Sequence, residues 1–395
     1  MLDCSASEVD PKPAGKPLLI KRVHVRGFRN LTAQEVELGA RTTLLWGPNG
    51  AGKTNLLEAV CTALTGRSCC TRTERQAIAF GERLARVVVE VSQGAETREF
   101  LWSLERGGER RHLVDGKPAT WKGAAPRPAL AIFLPDRLEL IKGPPAVRRA
   151  HLDRLSAALW PGRAGTRGRY GRALAQRNAL LGRIKGGVGS VESLDAWDRE
   201  LALAGAELMA YRREAVAVLE SEFARAAADL GLPGEATLRY RPRSEAFSAD
   251  ELRAELVTRR SSDLHRGFTG HGPHLDEIAV RLAGVPMRHY GSQGEQRTAL
   301  LALLFAERRA LLETHRTPPV LLLDDVMSEL DAERRALLAR RLAEGGAQAL
   351  LTATEPTHLP PGFDRVEVAL RQGEAISERR PAVPSTEHFR AALVA

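Results

Sequence analysis

The stretch Gly47-Pro48-Asn49-Gly50-Ala51-Gly52-Lys53-Thr54 constrains the fold more than any other in the chain. Its spacing is Gly-x4-Gly-Lys-Thr. It follows the apolar run Thr42 to Trp46 and precedes a helical pattern from Asn55 to Leu64. A strand that breaks into a glycine-rich turn and then a helix lets backbone N–H groups close around phosphate oxygens, and the helix N-terminus adds partial positive charge. Gly47 to Thr54, with Asn55 in the first helical turn, are therefore expected to hold the phosphates of a nucleoside triphosphate. Lys53 would reach the β and γ phosphates, and the Thr54 hydroxyl would hold Mg²⁺.

Two stretches in the last third supply what such a loop needs. Val320 to Leu323 is wholly apolar, reads as an interior strand of a parallel sheet, and ends in Asp324-Asp325. Asp324 would complete the Mg²⁺ shell, and Asp325 would face the γ-phosphate and orient an attacking water. Aspartate at that place reaches about one methylene less far than glutamate, so slow hydrolysis is expected. Ser292-Gln293-Gly294-Glu295 opens a helical pattern, Gln296 to Thr314, where a hydroxyl and free N–H groups form an anion site. Glu295, three residues after Ser292, also fits a capping box; the two readings are compatible.

Around these motifs the chain divides into residues 1–17 (a polar, Pro/Lys-containing leader), 18–143 and 291–395 (the nucleotide-binding domain), and 144–290 (a helical lobe). Leu18 to Val25 alternates apolar and basic residues and reads as an edge strand. Ala85 to Ser92, Thr97 to Glu105 and Arg111 to Val114 read as a meander with glycine turns. In the lobe, Leu194, Trp197, Leu201, Ala204, Leu208, Tyr211, Ala215 and Val218 fall at alternating three-and-four spacing. That heptad seam, matched by Tyr170, Leu174, Leu181 and Ile184, predicts an antiparallel helical pair. Ala249 to Arg260 and the tail segment Ser385 to Val394 read as further helices, and the tail after Gly373 as otherwise polar.

Cys4, Cys61, Cys69 and Cys70 have no metal-ligand spacing and read as reduced thiols. No apolar run approaches the roughly 20 residues of a membrane span, so no membrane partner is expected. The formal charge of +9 favours a polyanionic partner. Arg163, Arg167, Arg169, Arg172, Arg177, Arg183 and Lys185 form a run without an acidic residue. On a helix, such a run suits contacts to DNA phosphates. Aromatic content of 5% argues against a stacking platform for single strands, so duplex DNA is the expected ligand.

The Ser292 stretch, 32 residues before Asp324, resembles the signature motif of ABC-type ATPases, and Ser328-Glu329-Leu330-Asp331 resembles their D-loop. In such ATPases the signature of one subunit caps the γ-phosphate held by the other. The resemblance therefore implies an ATP-induced homodimer with two composite sites, with Asp331 close to them. Arg26-Gly27-Phe28-Arg29-Asn30, the phosphate loop, Gly66-Arg67-Ser68, Phe133-Leu134-Pro135-Asp136, Gly272-Pro273-His274-Leu275-Asp276, the Ser292 motif and Asp324-Asp325 occur in the order of the RecF family of bacterial recombination mediators. The resemblance runs from about residue 18 to 370. It implies an α/β fold, an ABC-type ATPase head like that of SMC proteins, with a compact helical lobe in place of a long coiled coil. Arg29 and Asn30 would lie near base or phosphate, and ATP and Mg²⁺ would be the cofactors.

The implied activity is a slow, DNA-stimulated ATPase used as a conformational switch. Such a protein binds duplex DNA next to single-strand gaps and, with RecR and RecO, helps load the RecA recombinase. It serves repair, replication restart and SOS induction in the cytoplasm, at the nucleoid. Leu275 and Glu295 depart from the family pattern, which has arginine and glutamine there. A transporter ATPase is the first alternative. It would need a glutamine after the strand at 129–134 and a histidine after the strand at 349–353, where this chain has Thr352 and Thr354. A structural DNA tether, the second, would need a far longer heptad run.

Overall fold

The computed structural model describes residues 17–70, 73–119, 129–328, 330–344 and 346–378. The leader, Cys4, Glu329 and the Ser385 to Val394 segment lie outside these. In chain order the elements are β1 (Leu18–Arg26), β2 (Gln34–Glu37), β3 (Thr42–Trp46), α1 (Lys53–Thr65), β4 (Leu84–Gln93), β5 (Glu96–Glu105), β6 (Arg110–Val114), β7 (Lys117–Pro118) and β8 (Leu130–Phe133). Then follow α2 (Glu139–Lys142), α3 (Pro145–Leu159), α4 (Thr166–Lys185), α5 (Leu194–Asp229), β9 (Ala236–Arg241), α6 (Ala249–Thr258), α7 (Arg260–Arg266), β10 (Glu277–Leu282), β11 (Val285–Pro286), α8 (Met287–Tyr290) and α9 (Gln293–His315). The chain ends with β12 (Val320–Leu323), α10 (Ala332–Glu344), β13 (Ala349–Ala353), β14 (Val366–Arg371) and β15 (Glu374–Glu378).

Two compact units result: residues up to 135 together with those from 311, and residues 136–310. The expected boundaries at 143/144 and 290/291 therefore move, and the Ser292 motif belongs to the second unit. The reason is local packing. Within that unit the His151 ring meets the Glu307 carboxylate, and the Gln296 side-chain amide donates to Met287 O at 2.9 Å, which ties the first part of α9 to α3 and α8.

The first unit has two six-stranded sheets. One is antiparallel throughout, in the order β2-β1-β4-β5-β6-β7; the other is mainly parallel, in the order β15-β14-β3-β13-β12-β8. Helix α1 is apolar nearly all round: Leu56, Leu57, Ala59, Val60, Ala63 and Leu64 are all buried. A helix with no polar face needs cover on every side. Here Val87, Val89 and Phe100 of one sheet and Leu45, Ile132, Leu322 and Leu350 of the other share one core with it.

Two sequence expectations are corrected here, and one element is added. The β1 strand is not an edge: it pairs with β2 on one side and β4 on the other. Its alternation marks one solvent face, on which Arg22 lies 3.3 Å from Glu35, rather than an open edge. The single helix expected over Ala249 to Arg260 breaks at Arg259, between α6 and α7. The polar tail after Gly373 adds a strand that is not among the expected elements. It begins as β15, a hairpin partner of β14, joined through Gln372 and Gly373 at φ 50° and 85°. Positive φ at both residues of a two-residue loop matches the twist of a hairpin.

In the second unit, α4 and α5 pack side by side as the heptad spacing predicts. The buried face of α5 is wider than that seam, however. Ala202, Met209, Arg212, Val216 and Leu219 are buried too, while Trp197, Tyr211 and Val218 are only partly covered. The helix also packs against α3, α6 and β9, and a seam calculated for one partner misses the others.

Candidate nucleotide site

The phosphate loop leaves β3 and enters α1 with left-handed or otherwise glycine-specific backbone at Gly47, φ 151°, and Gly52, φ 105°. At Gly47 a Cβ would stand 2.2 Å from Leu370 O, so glycine is required by the neighbouring strand as well as by φ. The β14–β15 hairpin braces the loop from the same side: Gly373 N donates to Ala51 O at 3.0 Å. Asn30 braces it from the other, donating from Nδ2 to Gly50 O at 2.8 Å and accepting from Asn55 Nδ2 at 2.7 Å. Asn30 thus stands at the loop.

Arg29 does not follow Asn30 into the loop. Its guanidinium makes two 2.9 Å bonds to the carboxylate of Glu58, a buried residue of α1. Ser68 Oγ donates to the same carboxylate at 2.5 Å. Two resembling motifs, Arg26 to Asn30 and Gly66 to Ser68, therefore meet on a glutamate that the sequence reading did not single out. Its signal was available: a lone carboxylate on an otherwise apolar helix needs a cation. Cys61, Cys69 and Cys70 nearby are free thiols, with 3.7 Å between the last two sulfurs.

Across the loop, β12 delivers Asp324. Its carboxylate accepts from Thr54 Oγ1 at 2.9 Å to each oxygen, and from Thr352 Oγ1 at 2.7 Å. Burial pushes the Asp324 pKa up, against the hydrogen bonds from Thr352 and Thr54. Lys53 is 8% exposed and donates to Gly47 O and Pro48 O at 2.7 and 3.0 Å. Burial lowers its pKa, opposed by the carboxylates of Asp325 and Asp324. Asp325 sits in the left-handed region, φ 48°, and its N–H donates to Thr352 Oγ1 at 2.8 Å. Its Oδ1 is buried and, among the described residues, has no hydrogen-bond partner.

That donor set fits a Mg²⁺-bound triphosphate. Two hard oxygen ligands converge from Thr54 and Asp324, an ammonium lies in the loop, and Asp325 lines the same cavity. In the sequence Thr352 stands only where a transporter ATPase would have its histidine. In the structure its one hydroxyl joins both aspartates. The cavity is lined by residues of the first unit alone, whereas Ser292 to Glu295 belong to the second.

At Ser292 the capping box is formed. Ser292 N donates to Glu295 Oε2 at 2.7 Å, and Glu295 N donates to Ser292 Oγ at 3.3 Å. Ser292 and Gln293 themselves are exposed. Asp331 caps α10, accepting from Arg334 N at 2.9 Å, which holds its pKa below the usual carboxylate range. Ser328 Oγ closes the preceding turn on Asp325 O at 2.9 Å.

The expected basic face of the lobe is largely spent within the lobe. Arg177 is fully buried, bonded to Asp198 at 2.6 Å and to Asp263 at 2.7 Å, so it cannot reach a DNA phosphate. The cause is an apolar stripe that carries a cation inward where two other helices each offer a carboxylate. Arg163 precedes α4. It lies over the rings of Trp160 and Tyr211 and pairs with Glu214 at 2.7 Å. Arg169 pairs with Glu207, and Arg167 lies 3.6 Å from Asp153. Lys185 Nζ reaches Arg266 O at 3.4 Å, while Arg172 and Arg183 are exposed. In the Gly272 motif, the His274 ring is held between Tyr170 Oη at 2.7 Å and Thr269 O at 3.0 Å. Asp276 is buried against Arg212 and Tyr240, while Leu275 is exposed.

Comparison with known proteins agrees with this geometry. The RecF/RecN/SMC N terminal domain family matches residues 19–376. The DNA replication and repair protein RecF of Anaeromyxobacter dehalogenans is 38% identical over 367 residues, 89% of this chain and 97% of the relative. That of Deinococcus radiodurans is 40% identical over 336 residues, 85% and 89% of the two chains. The solved structure of the recombination mediator protein RecF with ATP, in the RecFOR pathway, superposes with a TM-score of 0.82 at 26% identity, covering 93% of this chain and 99% of that one. An SMC head domain from Pyrococcus furiosus, at 17% identity and a TM-score of 0.55, shares the fold.

Proposed function

The chain belongs to the RecF family of the RecF/RecN/SMC group, and from that membership we propose that it is an ATP-dependent DNA-binding repair protein whose nucleotide site is completed by a second copy. The observation that carries this reading is the convergence of Thr54, Asp324, Asp325 and Thr352 on the phosphate loop; completion by a second copy rests on the resemblance of the Ser292 motif to an ATPase signature. Lys53 binds the β and γ phosphates. Thr54 and Asp324 hold Mg²⁺, which neutralises the developing phosphate charge. Asp325 orients the attacking water with its carboxylate. The partner's Ser292 hydroxyl and the helix N-terminus behind it close on the γ-phosphate.

ATP binding thus drives dimerisation, and the dimer grips duplex DNA beside a single-strand gap. Hydrolysis, slow and stimulated by DNA, separates the copies and releases the DNA. Loading of the RecA recombinase together with RecR and RecO is the role that follows from the family.

Sedimentation with and without ATP and duplex DNA tests this. ATP should convert the wild type from monomer to dimer and increase its retention on DNA. Lys53→Met should abolish both effects. Asp325→Asn should form the dimer and keep it, with turnover lost. A monomer that responds to neither ATP nor DNA would refute the reading, and full turnover in Asp325→Asn would remove that residue from it.

A further inference from the structure

The solvent face of the antiparallel sheet carries a charge pattern that the nucleotide site does not use. Residues directly opposite one another on antiparallel strands share a face. Arg26 of β1 stands opposite Arg86 of β4, Arg86 opposite Ser103 of β5, and Ser103 opposite Arg111 of β6. All three arginines are exposed. They form one row across four strands, about 14 Å long at the ordinary strand spacing. The adjoining row on that face runs Glu35, His24, Val88, Leu101 and Leu113, so its one acid stands at the far end on β2, beside His24 and Arg22, and the stretch next to Arg86 and Arg111 is apolar.

Other basic groups of this face are neutralised. Arg22 lies 3.3 Å from Glu35, and His24 lies 3.4 Å from Glu35 and 3.5 Å from Glu90. Arg26, Arg86 and Arg111 have no carboxylate at ion-pair distance among the described residues. Glu105, two positions beyond Ser103 on the same face, does not come within that distance of any of them. Directly opposed like charges destabilise a sheet, so the Arg26–Arg86 pair stands against its own repulsion. A single phosphate cannot neutralise three cations spread over such a row, but a linear polyanion can. A flat sheet face enters no groove, which suits backbone contacts rather than base reading.

We propose that this arginine row is a contact surface for the phosphate backbone of duplex DNA, a placement that rests on the DNA-binding function proposed above. It supplies cations that the lobe helix α4 does not, since Arg177 is buried there and Arg163 and Arg169 are paired with carboxylates.

The test compares the full-length wild type, Arg26→Gln/Arg86→Gln/Arg111→Gln, and Arg172→Gln/Arg183→Gln/Lys185→Gln on a fluorescent 30-base-pair duplex, with ATP, over a salt series. Each phosphate contact contributes about 0.9 to the slope of log affinity against log salt. The sheet variant should lose about 2 to 3 in slope and on the order of 100-fold in affinity at 0.1 M salt. Its ATP binding and ATP-dependent sedimentation should match the wild type. The helix variant should keep the wild-type slope. An unchanged slope in the sheet variant while the wild type binds DNA overturns the placement alone. A wild type that binds no duplex in any condition overturns the function beneath it.

Discussion

Thr352 shows how one hydroxyl can organise a site. It donates to the Asp324 carboxylate and accepts from the backbone N–H of Asp325, so it ties together the two aspartates that the proposed mechanism uses. Thr352→Val keeps the shape and removes both bonds. Losing a hydrogen bond to a charged group is worth about 1.5 to 3 kcal/mol. Turnover should fall by roughly 10- to 100-fold, with ATP affinity nearly unchanged and the melting temperature lowered by a few degrees. Equal losses in binding and turnover, read from ATP titration and steady-state rates, would show that the hydroxyl serves only to hold the nucleotide. The motif residues of this site were legible because phosphate chemistry demands fixed spacings. Thr352 and Glu58 were not, because what they do depends on strands and loops far apart in sequence coming together.

Among elements, the long lobe helices carry the clearest lesson. Their existence and pairing follow from periodicity, but the role of Arg177 does not. Arg177 fills the position between Leu174 and Leu181 in the apolar stripe, so the spacing turns it inward, but only the fold shows which carboxylates meet it there. In the structure Arg177 joins α4 to Asp198 of α5 and Asp263 of α7, with Thr269 as a third partner at 2.7 Å. Arg177→Met fills the same space and strands two carboxylates. The lobe should lose about 3 to 5 kcal/mol, visible as a lower denaturant midpoint, while DNA affinity per folded molecule stays constant. A stable variant with weakened DNA binding would instead return Arg177 to the DNA surface. The β14–β15 hairpin escaped sequence reading for a different reason: Gln-Gly is a weaker hairpin signal than Asn-Gly, and the segment after it is polar.

At the scale of the whole molecule, the sheet order of the first unit joins strands from both ends of the chain. Composition and local pattern carry no information on that. What sequence did convey was that Gly47 to Thr54 and Asp324-Asp325 must meet, and parallel pairing of β3 with β13 and of β13 with β12 brings them together. Stability of the folded chain should also report on pH through His274. Burial lowers its pKa below the ordinary histidine value near 6.5. Below pH ~6.5 the unfolded chain therefore takes up a proton that the folded one resists, and stability falls as pH drops from there towards the depressed value. The melting temperature should decline from pH 7.5 to 5.5, and less steeply in His274→Gln. An identical decline in both proteins would assign it to other groups.

The left-handed backbone at Asp325 has a consequence for timing. Short acids tolerate that conformation because the side chain can hydrogen-bond locally, whereas longer ones are rarer there. The residue that would bring a carboxylate nearer the γ-phosphate is thus the one the backbone accommodates less readily. If the protein is a switch, its dwell time in the ATP state is written into one φ angle of 48°. Evolution towards a faster clock would have to reshape the turn after β12 before lengthening the acid.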